Sequence, residues 1–135
     1  MATKSAWGPP RDMEKARAYD ALEATIHKKY GARIHLADLI LEGEDWAGDK
    51  VITRGYFTAE PAYALHTKPK EGSKFLPIKP LVEVPKKIAA KKFPLVDVSG
   101  PVRKVAGEYG IHARHVIPLI DYGSVPRQWK PRLPY

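Results

Sequence analysis

Two stretches of this chain carry one pattern, a β-type run interrupted by a glycine. The first is Lys50 to Phe57 with Gly55 inside it; the second is Leu95 to Val102 with Gly100 inside it. Tyr109 to Ile117 follows soon after the second. A glycine within a strand pattern marks a bulge, a barrel corner or a close backbone approach. Several short strands bent in this way predict a small, strongly curved, closed β-barrel.

The N-terminal third reads differently. Residues 1–11 form a polar arm in which Pro9-Pro10 stops any earlier helix. Asp12 is a candidate N-cap and Glu14 suits the positive end of a helix. Met13, Ala16, Tyr19, Leu22, Ile26 and Tyr30 recur at steps of three or four. That spacing predicts one apolar stripe on a helix of about five turns. Lys28 and Lys29 fall in its last turn, and Gly31 is placed to end it. Ile34 to Leu41 fits a short helical turn better than alternation. The acidic stretch Gly43 to Asp49 reads as a solvated turn leading into the first strand.

Five strands are expected after that. They are Val51–Thr58, Ala62–Thr67, Leu81–Val84, Leu95–Lys104 and Ile111–Leu119. Lys68 to Pro80 reads as a Lys/Pro/Gly loop with Phe75, Leu76 and Ile78 embedded in it. Lys86 to Lys92 reads as one helical turn or a basic connector, and Ala106 to Glu108 as a turn. The domain plan is therefore an N-terminal arm (1–11), a helical lead-in (12–45), a β-barrel (46–119) and a C-terminal arm (120–135). The fold class is mainly β with an N-terminal helix.

This order of strands, with a long loop, a basic connector and a glycine halfway along the first strand, resembles an OB-fold over roughly residues 46–119. The connector between the third and fourth strands is short for the helix usual there. The resemblance implies a five-stranded OB-like barrel. Such barrels often bind single-stranded nucleic acid or oligosaccharide on the face of strands two and three. Mapped onto this chain, that face would present Tyr63, Leu65 and Tyr56. The flanking loops would supply Lys68, Lys70 and Lys74 on one side and Arg103 and Lys104 on the other.

Charge points the same way. The chain carries a net +8 over 135 residues. Residues 1–49 hold 7 basic and 9 acidic residues, whereas residues 50–135 hold 16 and 6. The positive field thus lies on the barrel and the tail, as expected for a polyanion partner or for a solubilising surface. Lys86, Lys87, Lys91 and Lys92 form the densest basic cluster. They can contact phosphates or simply solvate a connector. Phosphate contacts are assigned to these four with Lys68, Lys70, Lys74 and Arg103, and base stacking to Tyr63.

No catalytic signature is present. There is no cysteine, which excludes disulfide and thiolate chemistry. Neither G-x-S-x-G nor a Gly-rich phosphate loop occurs. His112 and His115 on a strand are expected to point to opposite faces, and no carboxylate or thiolate completes a metal set beside them. Glu42, Glu44, Asp45 and Asp49 lack Ca²⁺-loop spacing. A non-enzymatic binding module without metal or cofactor is therefore expected. The expected ligand is single-stranded nucleic acid.

The alternative is an accessory subunit of a larger assembly. Trp7 in the first arm and Arg127, Trp129, Arg132 and Tyr135 in the last have the composition of partner-binding residues. Trp129 could equally plug the barrel's own end. No run is long and apolar enough for a membrane span. Met1 to Gly8 lacks the apolar stretch of a secretory leader. A cytoplasmic location is expected, with an exported form after leader removal as the alternative.

Overall fold

A computed structural model describes residues 13–60 and 62–119. The lead-in comprises α1 (Met13–Tyr30), β1 (Ala32–Arg33), α2 (Leu36–Glu42) and a 3-10 turn (Gly43–Trp46). The barrel follows as β2 (Lys50–Thr58), β3 (Ala64–His66), β4 (Phe75–Pro80), α3 (Lys86–Ala89), β5 (Leu95–Val105), β6 (Glu108–Ala113) and β7 (His115–Ile117). Asp12 and both arms, with Trp7, Arg127, Trp129, Arg132 and Tyr135, lie outside the described residues.

The strands run in the order β2-β3-β4-β6-β5, and β5 pairs back onto β2. This is a closed five-stranded barrel. Its pairings are antiparallel except β4 with β6, which is parallel. The arrangement is consistent with an OB-like fold. The short β1 and β7 add to the edges of β2 and β5 outside the ring. Along β2, alternation sends Val51, Phe57 and Gly55 inward. Val96, Val98 and Val102 of β5 meet them, with Leu65, Leu76, Ile78, Ile111, Ala113 and Val116 from the other strands. Leu36 and Leu39 of α2 and Ile88 of α3 join the same core.

Glycine permits two close approaches that the barrel needs. A Cβ on Gly55 would sit 2.5 Å from Leu65 Cγ and 2.7 Å from Leu36 Cδ2, so both core side chains pack into the space its absence leaves. A Cβ on Gly100 would overlap the carbonyl oxygen of His112. Gly100 lies where β5 leaves β2 and turns onto β6, since its pairs with β2 end at Pro101 and those with β6 begin at Val102. Gly31 ends α1 as expected. It has φ +103° and donates its N–H to His27 O at 2.9 Å.

The lead-in covers the outer side of this β2–β5 ladder. Asp97 points away from the core yet is 0% exposed. It pairs with Arg54, its neighbour across the ladder, through two 3.0 Å contacts, from Nε and Nη2 to the two carboxylate oxygens. Arg33 of β1 reaches the same carboxylate at 3.9 Å and Glu23 of α1 at 3.8 Å. Ser99 Oγ donates to Tyr30 O at the end of α1. Breaking one partner of such a buried pair costs about 3–5 kcal/mol, because a charge is left uncompensated.

Three expectations are corrected. The third strand is Phe75–Pro80, within the expected loop, whereas Leu81–Val84 is not a strand. Its prolines misled the sequence reading, since proline is excluded from fully bonded strands. Here the pairs of β4 with β3 end at Pro77 and those with β6 begin at Ile78, whose N–H still bonds to Tyr63 O at 3.1 Å, so the strand changes partner just past Pro77. The second strand is trimmed to Ala64–His66, which leaves Tyr63 just before it. The fifth is split in two. Val102 pairs with Ile111 but Val98 with Val116, so this side carries one residue more than β5 between the two pairs. That extra residue is a bulge around Arg114. It shifts the alternation so that His112 and His115 both face outward, not to opposite sides. The connector helix is present, reduced to four residues, and Ile88 anchors it in the core.

Gly100→Ala should destabilise the protein by about 3 kcal/mol, because a methyl group is forced into an occupied backbone position. Urea denaturation followed by circular dichroism measures this. A variant as stable as the parent would show that the approach to His112 is not required.

Candidate functional site

The outer face of β3 and β4 follows from alternation. Leu65, Leu76 and Ile78 point inward, which turns Ala64, His66, Phe75 and Pro77 outward. Register sets Ala64 beside Pro77 and His66 beside Phe75. These four residues line a groove of about 960 Å³. Its walls come from four connections. The β2–β3 loop supplies Glu60 and Tyr63, and the β3–β4 loop supplies Glu71 and Gly72. The segment after α3 supplies Lys91, Lys92 and Phe93, and the β5–β6 hairpin supplies Ala106 and Glu108. A groove of this size is within the range of small-ligand sites.

Its lining is unusually aromatic. Tyr63 is 42% exposed and Phe75 is 48% exposed. Tyr63 leans on the buried Phe57 with ring centroids 5.9 Å apart. Phe75 and Phe93 both contact His66, at 5.4 Å (tilted) and 5.5 Å (edge-on). Large apolar rings left half in water in one concave surface are the features that need explaining.

His66 is held at both nitrogens. Ser73 Oγ donates its single proton to backbone carbonyls of the same loop, best to Lys70 O at 2.8 Å. It must then accept from His66 Nδ1–H at 3.1 Å. Nε2 accepts from the Thr58 hydroxyl at 3.1 Å. The network assigns the neutral Nδ1–H tautomer. Burial lowers the His66 pKa below its usual value of 6.5, against the Ser73 contact, which raises it. His115 is also lowered, by burial and then by Lys29, Lys50 and Arg114.

The residues singled out by sequence separate into groups. Tyr63, Lys91 and Lys92 meet at the groove. Lys68, Lys70 and Lys74 are exposed on the β3–β4 loop whose tip forms one wall. Lys86 and Lys87 are exposed on α3. Arg103 and Lys104 lie on β5 away from the lining, with Lys104 Nζ over the Tyr109 ring at 5.4 Å. Leu65, placed on the binding face by the resemblance, is corrected: it is 0% exposed and belongs to the core. Tyr56 is half-buried and does not line the groove. Phe75, Phe93, His66 and the three glutamates escaped sequence reasoning. Alternation in Phe75-Leu76-Pro77-Ile78 was the available signal, since two inward aliphatics turn Phe75 outward.

His112 and His115 have separate partners. His112 Nε2 lies 3.1 Å from Lys104 O, and the His115 ring meets Tyr30 edge-on at 4.9 Å. Among the described residues no group of three or more His, Cys, Asp or Glu side chains gathers as a metal site, and no helix is long and apolar enough to cross a membrane. The chain matches no protein-family model, no curated protein and no solved structure at a significant level.

Burial holds the His66 pKa lower in the folded protein than in the unfolded chain. The unfolded chain takes up a proton near pH 6.5, before the folded ring does. Stability should be complete above that pH and fall as pH drops through it toward the lowered folded value. Urea midpoints measured at pH 7.5 and pH 5 should therefore decline, and His66→Gln should flatten the decline. His115, lowered in the same direction, contributes to the part that persists. An unchanged slope in His66→Gln would contradict the assignment.

Proposed function

We propose that this protein is a non-enzymatic binding module that receives a single strand of nucleic acid in the β3–β4 groove. The observation that carries the reading is the pair of half-exposed rings, Tyr63 and Phe75, with Phe93 beside them. Single-strand binders combine a basic track with aromatic rings on which bases stack, because every base offers a π-face. Tyr63 and Phe75 are the stacking residues. Lys91 and Lys92 at the groove take the first phosphates. Lys86 and Lys87 extend the track along α3, and Lys68, Lys70 and Lys74 extend it along the β3–β4 loop.

The barrel supports the same reading. Its five strands follow the order of the OB-fold superfamily, with a short helix between the third and fourth. The groove lies on the face of the second and third barrel strands, between the first hairpin loop and the last, where such domains bind their ligands. Arg103, away from this groove, is dropped from the contact set.

The test is fluorescence anisotropy with labelled single-stranded oligonucleotides at about 50 mM and about 200 mM salt, the range over which phosphate contacts weaken strongly. Tyr63→Ala and Phe75→Ala should each cost about 1–3 kcal/mol of binding. Lys91→Ala with Lys92→Ala should lower the slope of log K against log salt by about 0.7 for each phosphate no longer neutralised. No binding at low salt would remove the proposal.

A further inference from the structure

The groove holds more negative than positive side chains. Glu60, Glu71 and Glu108 line it alongside Lys91 and Lys92. Two of the carboxylates come from different loops and the third from the start of β6, so they are spread along the walls rather than gathered at one point. None of them has an ion pair or hydrogen bond within the described structure. They are unpaired acceptors on walls otherwise lined by rings, apolar and small side chains, His66 and the two lysines.

A phosphodiester running along these walls would set its charge against three carboxylates that have no ion pair within the described structure, and like charges repel. The strand must enter with its bases inward and its phosphates turned out to the lysines. The stacking rings demand the same orientation. What the carboxylates then meet is the hydrogen-bonding edge of each base.

A carboxylate only accepts hydrogen bonds. Guanine offers an N1–H and an amino N–H side by side, matching both oxygens. Cytosine offers its N4 amino group and adenine its N6 amino group. Thymine and uracil offer one N3–H between two carbonyl oxygens, and those oxygens repel a carboxylate. We propose that Glu60, Glu71 and Glu108 make the groove selective for amino-bearing bases, guanine foremost, against thymine and uracil. This selectivity rests on the nucleic-acid reading above.

The experiment compares three labelled DNA oligomers of one length, all-thymine, all-cytosine and alternating guanine–thymine, at one salt concentration. Their phosphate charge is equal, so the common electrostatic contribution cancels. The expected order is guanine–thymine, then cytosine, then thymine, with cytosine bound about tenfold or more tighter than thymine, as one good base contact allows. The triple variant E60Q/E71Q/E108Q should bind thymine more tightly and lose the order, since an amide is uncharged and both donates and accepts. All three glutamates are exposed, two on loops and Glu108 at the start of β6, and circular dichroism is the check that the variant is folded. Equal binding of the three oligomers, or an order the triple variant retains, would overturn the selectivity and leave the nucleic-acid proposal standing. No binding of any oligomer would overturn both.

Discussion

The structure depends on one strand serving two neighbours in turn. β5 spends its first seven residues on β2 and its last four on β6. Without that change of partner the barrel would stay open between β5 and either β2 or β6. The change occurs at Gly100, where the backbone of β5 comes against the His112 carbonyl closely enough to exclude any side chain. On the other side, the bulge at Arg114 supplies the extra residue that lets β6 and β7 follow the bend. A bulge and a glycine on facing strands are complementary devices. One lengthens the outer path while the other removes bulk at the corner.

The ladder between β2 and β5 also explains why the lead-in belongs to the same folding unit. Strand alternation puts Arg54, Asp97 and Ser99 on the outer face of the barrel. A charged pair there would ordinarily sit in water and contribute little. Here α1 and β1 cover it, with Arg33 and Glu23 extending the network and Ser99 bonded to the last turn of α1. Burial turns a weak surface pair into one whose disruption is costly. The helix therefore docks through polar groups as well as through Ile26.

What was legible in the sequence follows local physics. The helical period of α1, its Gly31 stop, the two glycine-bent strands and the turn at Ala106-Gly107 are written in spacing and residue type over short spans. β4 was hidden because its prolines are admissible only where a strand changes partner, and that is a property of the whole barrel. Leu81–Val84 was a decoy for the same reason. Its apolar run resembles a strand, yet only Val84 packs against the core while Leu81 and Val82 are exposed. The groove was legible in fragments. Tyr63, Lys91 and Lys92 stand out by type, but their meeting depends on register between strands separated by a long loop. Phe75 shows as a surface ring only once its segment is a strand, because only strand alternation turns it outward.

Backbone strain adds an argument that no residue type carries. Among the described residues, the non-glycine positions with left-handed φ are Phe93 at 51° and Ala106 at 54°. Both line the groove, on connections that are remote in sequence. Each costs about 1–2 kcal/mol relative to a relaxed conformation. Such strain persists only where surrounding structure over-determines it. At Ala106 the determinant is the two-residue hairpin, whose turn requires positive φ at both centres to match the strand twist. At Phe93 it is the ring, seated edge-on against a histidine that is itself held by Ser73 and Thr58. The two walls are thus set by the barrel rather than left to their own preferences. A groove whose rings are fixed in advance loses less conformational entropy when a ligand arrives, and that favours a preformed stacking surface over a loop that closes on demand.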